Sequence, residues 1–147
     1  VFRFATRVMA QATIEATLAS GWKVEDLNLI IPHQANLRII DAAARGLKLP
    51  IEKFMINVER YGNTSTASIP LATVEAMHAG RLKIGDKVVF VGFGAGLTWG
   101  ALAAEWTGPL PVEHKVYPVT YRPLARTRSF LRRVWRRLES ILFGNES

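Results

Sequence analysis

Apolar positions near the start of the chain fall at helical spacing. Phe4, Val8, Ala12 and Leu18 recur along residues 3–20, and Gly21 follows as a natural stop, predicting a helix there. The pattern then changes. Leu27 to Ile31 is a short apolar, partly β-branched run closed by Pro32, the pattern of a buried strand. Residues 34–46 return to helical period, with Leu37, Ile40, Ala44 and Leu47 on one face. Arg38, Asp41 and Arg45 fall on the opposite face, and Gly46 is the expected stop. A turn at "LPIEKF" leads into an expected strand over Met55–Val58, followed by the polar loop "ERYGNTSTAS". A helix is expected at about 66–79, with Pro70 in its first turn, where proline is tolerated, and Gly80 beyond it. After the turn "KIGDK", strands are expected at 88–93 and 97–106, separated by glycines.

Strands alternating with helices imply an α/β fold with a mostly parallel sheet. The last two strands are joined by only a few residues, so that pair must be antiparallel. In open α/β sheets, sites collect at the carboxyl ends of the strands. Three polar or glycine-rich loops fall there: Pro32–Asn36, Tyr61–Ser65 and Gly92–Gly96. Each has an ordinary explanation by itself. His33 could satisfy backbone groups beside a helix N-cap, Gly62-Asn63 is common turn chemistry, and the glycines could simply turn a hairpin. Together they allow a site. A neutral histidine Nε2–H and an asparagine NH2 can both donate to one oxygen, stabilising the negative charge of a thioester enolate. Ser65 and Ser68 are candidate nucleophiles, but neither sits in a nucleophile-elbow context.

Composition narrows the options. Apolar residues make up 49% of the 147 and charged residues 21%, the balance of a globular chain. There is no cysteine, which excludes disulfides and a cysteine nucleophile within this chain. The three histidines, His33, His78 and His114, lack metal-ligand spacing, so no metal is expected. The net charge of +7 is uneven. Up to Gly108 there are 11 basic and 9 acidic residues, beyond it 8 and 3, so the excess lies in the tail. A nucleic-acid-binding body is therefore a poor description. Val1 is not methionine and stands directly in a helical pattern, so the sequence is expected to begin inside a longer protein.

Three motifs carry a resemblance: "PHQANLRI", then "GNTSTASIP" with its asparagine thirty residues after the histidine, then "GFGAGLTWG". In that order and spacing they resemble the C-terminal half of the β-ketoacyl-acyl-carrier-protein synthase III family of thiolase-fold condensing enzymes. The resemblance covers about residues 1–106. It implies a cytoplasmic acyltransferase of fatty-acid initiation with a Cys-His-Asn triad. An acyl group passes from acyl-coenzyme A to the cysteine, and malonyl-acyl carrier protein then loses CO2 and attacks it. His33 and Asn63 would stabilise the enolate, and Ala95 would give its backbone N–H to the oxyanion hole. Gln34, Ala35, Asn36, Leu37 and Arg38 would face the carrier protein and its pantetheine, with Arg38 toward the acidic surface. No cofactor is implied beyond the two thioester substrates. The triad cysteine, and with it the N-terminal half, would come from elsewhere, and the complete enzyme would be a homodimer. Without that half, an exposed sheet face and an unpaired strand edge are expected, and the chain alone should not condense anything. Type III polyketide synthases, which share a histidine, an asparagine and a similar glycine turn, are the related alternative. The alternative from another class is a noncatalytic module that holds a carrier protein or a membrane.

Beyond that region, 107–123 is proline-rich and expected as a linker or strap. Residues 124–143 are expected as a basic amphipathic helix. Phe130, Leu131, Val134, Trp135, Leu138, Ile141 and Leu142 lie on one face, and Arg132, Arg133, Arg136 and Arg137 on the other. Such a helix suits an anionic membrane surface, a protein partner or the body's own exposed face, and nucleic acid least.

Overall fold

The structure, a computed structural model, describes residues 2–108 together with Leu131 and Trp135. Helix α1 (Phe2–Ala19) buries Ala5, Val8, Met9 and Ala12, and the chain leaves it through Gly21 at a φ of 74°. Leu18, expected on the apolar face, is 61% exposed. Six residues past Ala12 place it about 120° around the helix from the buried stripe. Helix α2 (Leu37–Leu47) begins later than its apolar period suggested, because Asn36 is extended and acts as the N-cap. Its Oδ1 accepts the Arg38 N–H at 2.8 Å. The helix also runs through Gly46 and stops at Lys48, which takes the left-handed conformation at a φ of 55°. Gly46 is helical instead; a Cβ there would lie 3.5 Å from the Ala10 Cβ, so α1 and α2 pack closely at this point.

The sheet has the order β1-β2-β3. Strand β1 (Leu29–Pro32) runs parallel to β2 (Lys87–Gly94), from Leu29 opposite Val88 to Pro32 opposite Val91. Strand β3 (Thr98–Glu105) runs antiparallel to β2, as the short connection requires. All four residues of β1 are buried, since both of its faces are covered. On one face Ile30, Val89 and Val91 meet Met9, Ile40 and Ala43 from α1 and α2. On the other, Leu29, Ile31 and Val88 meet Ala72 and Ala76 from α4 (Ser68–His78), together with Met55 and Leu82.

The strand expected at Met55–Val58 does not form. Its contact with β1 is a single parallel bridge between Ile30 and Phe54, with the Met55 N–H donating to the Ile30 carbonyl at 2.8 Å. Side chains then take the backbone groups that a ladder would need. Gln34 Oε1 accepts the N–H groups of Asn57 and Val58, at 3.0 and 3.2 Å, and the chain turns into the short helix α3 (Val58–Tyr61). The Arg81 guanidinium donates to the Glu52 and Phe54 carbonyls. Helix α4 ends as expected near Gly80, which has a φ of 66°. There the Gly80 N–H reaches the Met77 carbonyl at 3.0 Å and the Arg81 N–H the Ala76 carbonyl at 2.8 Å, a Schellman closure.

Strand β3 is the sheet edge among the described residues, and Trp99 and Leu102 on it are 56% and 61% exposed. Among the described residues, this edge has no further strand beside it and carries exposed apolar side chains. The chain divides into two units, Val1–Val112 and Glu113–Ser147. The linker expected at 107–123 and the helix expected at 124–143 lie outside the described residues, apart from Thr107, Gly108, Leu131 and Trp135. Leu131 and Trp135 are helical and their side chains are exposed. No helix among the described residues is long and apolar enough to cross a membrane.

Candidate active site

The parallel pairing of β1 and β2 brings their carboxyl ends together, and the chain leaves β1 directly into His33. The His33 N–H continues the ladder by donating to the Val91 carbonyl at 2.8 Å. A cleft of about 750 Å³ opens there. It is lined by all three of the loops singled out in the sequence: His33 and Ala35 from the first, Asn63 and Ser65 from the second, and Gly92 to Gly94 with Gly96 from the third. Phe4 from α1, Ile39 from α2, and Ser68 and Ile69 from α4 add to its walls.

His33 is half-buried, and its ring stands edge-on to Phe93, with centroids 5.3 Å apart and planes at 79°. Burial pushes its imidazole below the ordinary value of 6.5, so the neutral ring prevails at neutral pH. Nδ1 lies 2.6 Å from the Ser68 hydroxyl. Asn63 is exposed at the cleft, and its Oδ1 accepts the Ser65 N–H at 3.0 Å. That bond settles which end of the carboxamide is oxygen, and it leaves the Nδ2 amine as the donor end. The loop is shaped by Gly62, whose φ of 66° and ψ of −163° fall in a region open essentially to glycine alone. The third loop turns through two successive left-handed residues, Gly96 and Leu97. Ala95 precedes them, directly after β2.

Of the other positions singled out, Ala35 lines the cleft, while Leu37 and Arg38 are exposed in the first turn of α2. Asn36 is also exposed, with its oxygen engaged as the helix cap. Gln34 departs from expectation. It is 1% exposed, so it does not present itself to a partner. Its Nε2 donates to the carbonyls of Pro32 and Met55, both at 2.9 Å, and its Oε1 accepts two N–H groups at the start of α3. This is the full capacity of a carboxamide. A glutamine beside a proline at a strand end gave no sign of that burial. Ser68, weighed in the sequence as a nucleophile, sits in the cleft wall but is 1% exposed, and its hydroxyl is engaged by His33 Nδ1 and the Gln34 N–H. Among the described residues no group of three or more His, Cys, Asp or Glu side chains could hold a metal ion.

Residues 18–106 match the model of the 3-oxoacyl-[acyl-carrier-protein] synthase III C-terminal family. The chain is 56% identical over 106 residues to a β-ketoacyl-[acyl-carrier-protein] synthase III of Symbiobacterium thermophilum, covering 72% of this chain and 32% of that one. Among solved structures, the synthase III of Thermus thermophilus is 60% identical with a TM-score of 0.72, over 74% of this chain and 34% of that one. The Pseudomonas aeruginosa enzyme is 42% identical with a TM-score of 0.73, over 75% and 35%. The chain thus spans about a third of the length of the curated relatives it matches. With more than half of its residues under the family model, this chain belongs to the 3-oxoacyl-[acyl-carrier-protein] synthase III family and carries the fold of its C-terminal part.

Proposed function

We propose that this chain supplies the enolate-stabilising half of a condensing acyltransferase that joins an acyl-coenzyme A starter to malonyl-acyl carrier protein. One observation carries the reading: His33 and Asn63, thirty positions apart, line a single cleft beside a glycine-rich turn. In the reaction the bond from the malonyl α-carbon to its carboxylate breaks and CO2 leaves. The electron pair moves into the thioester as an enolate, whose oxygen accepts hydrogen bonds from His33 Nε2–H and Asn63 Nδ2–H. The enolate carbon then attacks an acyl-cysteine, and the thiolate departs. The Ala95 N–H is proposed to hold the second oxyanion. A neutral histidine suits the role, because it donates to the enolate without giving up its proton outright.

This chain contains no cysteine, so the nucleophile comes from another segment. The exposed start of α2, with Leu37 and Arg38 beside Ala35 at the cleft, is proposed to meet the carrier protein, and Arg38 to favour its acidic surface. The test combines this chain with the N-terminal two-thirds of the Symbiobacterium relative, where this reading places the cysteine, and follows malonyl-carrier decarboxylation. The combination is expected to be active and the chain alone inert. Asn63→Asp, which keeps the turn-forming oxygen but removes the donor, should slow decarboxylation by about 10²–10³. Undiminished turnover in Asn63→Asp, or condensation by the chain alone, would overturn the proposal.

A further inference from the structure

Ser68 opens α4 inside the protein, and among the described residues its Oγ has two hydrogen-bond neighbours. One is the Gln34 backbone N–H at 3.2 Å, and the other is His33 Nδ1 at 2.6 Å. An N–H can only donate, so Oγ accepts from Gln34. The single hydroxyl proton is then left for Nδ1, which must offer a lone pair. The opposite arrangement would have Oγ accept twice and bury its own proton with no acceptor, an arrangement folded proteins avoid. With Nδ1 unprotonated, the neutral ring carries its proton on Nε2.

We propose that Ser68 is a positioning residue, which holds His33 in the Nε2–H tautomer so that the ring presents a donor, not a lone pair, to the cleft. Its consequence for turnover rests on the reading given under Proposed function; the tautomer itself rests on the geometry alone. Without the serine, nothing described bonds to Nδ1, and the ring is free to place its proton on either nitrogen. The neighbouring Gln34 N–H would lose its acceptor at the same time.

The tautomer is observable in the chain as it stands. Two-bond ¹⁵N–¹H correlation of the ¹⁵N-histidine-labelled protein, recorded at about pH 8 where imidazoles are neutral, distinguishes protonated from bare ring nitrogens. His33 is expected to show a bare, hydrogen-bonded Nδ1 and a protonated Nε2. Ser68→Thr, which keeps the hydroxyl, should preserve that pattern, and Ser68→Ala should shift both ring nitrogens toward an average. If Ser68→Ala fails to fold, the spectra of the unsubstituted chain and of Ser68→Thr decide. A proton on Nδ1 in the unsubstituted chain, or ring shifts left unchanged in a folded Ser68→Ala, would overturn the assignment. Combined with the cysteine-bearing segment, Ser68→Ala should lower kcat at least about tenfold with little change in KM, a part of the 10²–10³ that one oxyanion donor is worth. Ser68→Thr should restore it. Nε2–H in the spectra with no effect of His33→Ala on turnover would sink the proposed function and leave the tautomer standing.

Discussion

His33 illustrates how one residue takes its chemistry from its surroundings. The backbone ladder fixes its N–H on Val91, Phe93 packs against the ring, and burial favours the neutral form. The sign of the resulting pH dependence follows from linkage. In the unfolded chain the ring titrates near 6.5; in the fold it titrates lower. Between those two values the unfolded state binds the proton more readily, so stability rises with pH through that window. The contribution is complete above 6.5 and is lost as pH falls toward the folded value. Denaturant titrations at a series of pH values should therefore show the unsubstituted chain losing stability on acidification relative to His33→Gln. A gap that widens with acid in favour of the histidine would contradict the direction of the shift. Asn63 shows the complementary case, in which a local turn consumes the oxygen of an amide and so leaves its nitrogen available.

At the level of elements, Gln34 joins the end of β1, the Met55 segment and the start of α3 through four hydrogen bonds. Gln34→Leu leaves two carbonyls and two N–H groups without that partner. Buried groups left unsatisfied cost about 1–3 kcal/mol each before relaxation. A loss of at least about 2 kcal/mol is expected in urea unfolding, and one below half a kcal/mol would show that water replaces the amide. This network also marks where the sequence was a poor guide. Helices α1 and α4, and strands β2 and β3, were legible because their period or their glycine punctuation is local. The segment at Met55–Val58 looked like a strand because its side chains are apolar, and Phe54 and Met55 are indeed buried. What denies it a ladder is a glutamine some twenty positions earlier and an arginine some twenty-five later, and no window on the sequence contains both. The end of α2 was misplaced for a simpler reason, since Lys48 takes the left-handed position that Gly46 seemed to offer. The site was legible as three loops; the Ser68 contact to His33 was not, because it spans 35 positions.

For the molecule as a whole, the bare surface around β3 has a direct cost. Trp99 and Leu102 lie exposed on an edge strand, and Ile84, Leu71 and Val74 add further apolar area elsewhere. Such an edge invites pairing between copies. Leu102→Lys should reduce the sedimentation-measured self-association of the isolated chain at a given concentration while leaving its helical signal intact. No change in association would indicate that another surface dominates.

The sheet order also governs how the chain reaches its fold. The β2–β3 hairpin closes across three residues, whereas β1 must find β2 across a separation set by Leu29 opposite Val88. Hairpins form within about 1–10 μs, while distant parallel pairing must first meet the entropy of a long loop. The ribbon carrying the glycine turn is therefore assembled early, and the histidine arrives at it late. During synthesis from the amino terminus, β1 and the helices that cover its faces emerge before β2 exists, so the backbone edge that β2 later takes stands unpaired in the nascent chain, on a strand whose side chains end up wholly enclosed.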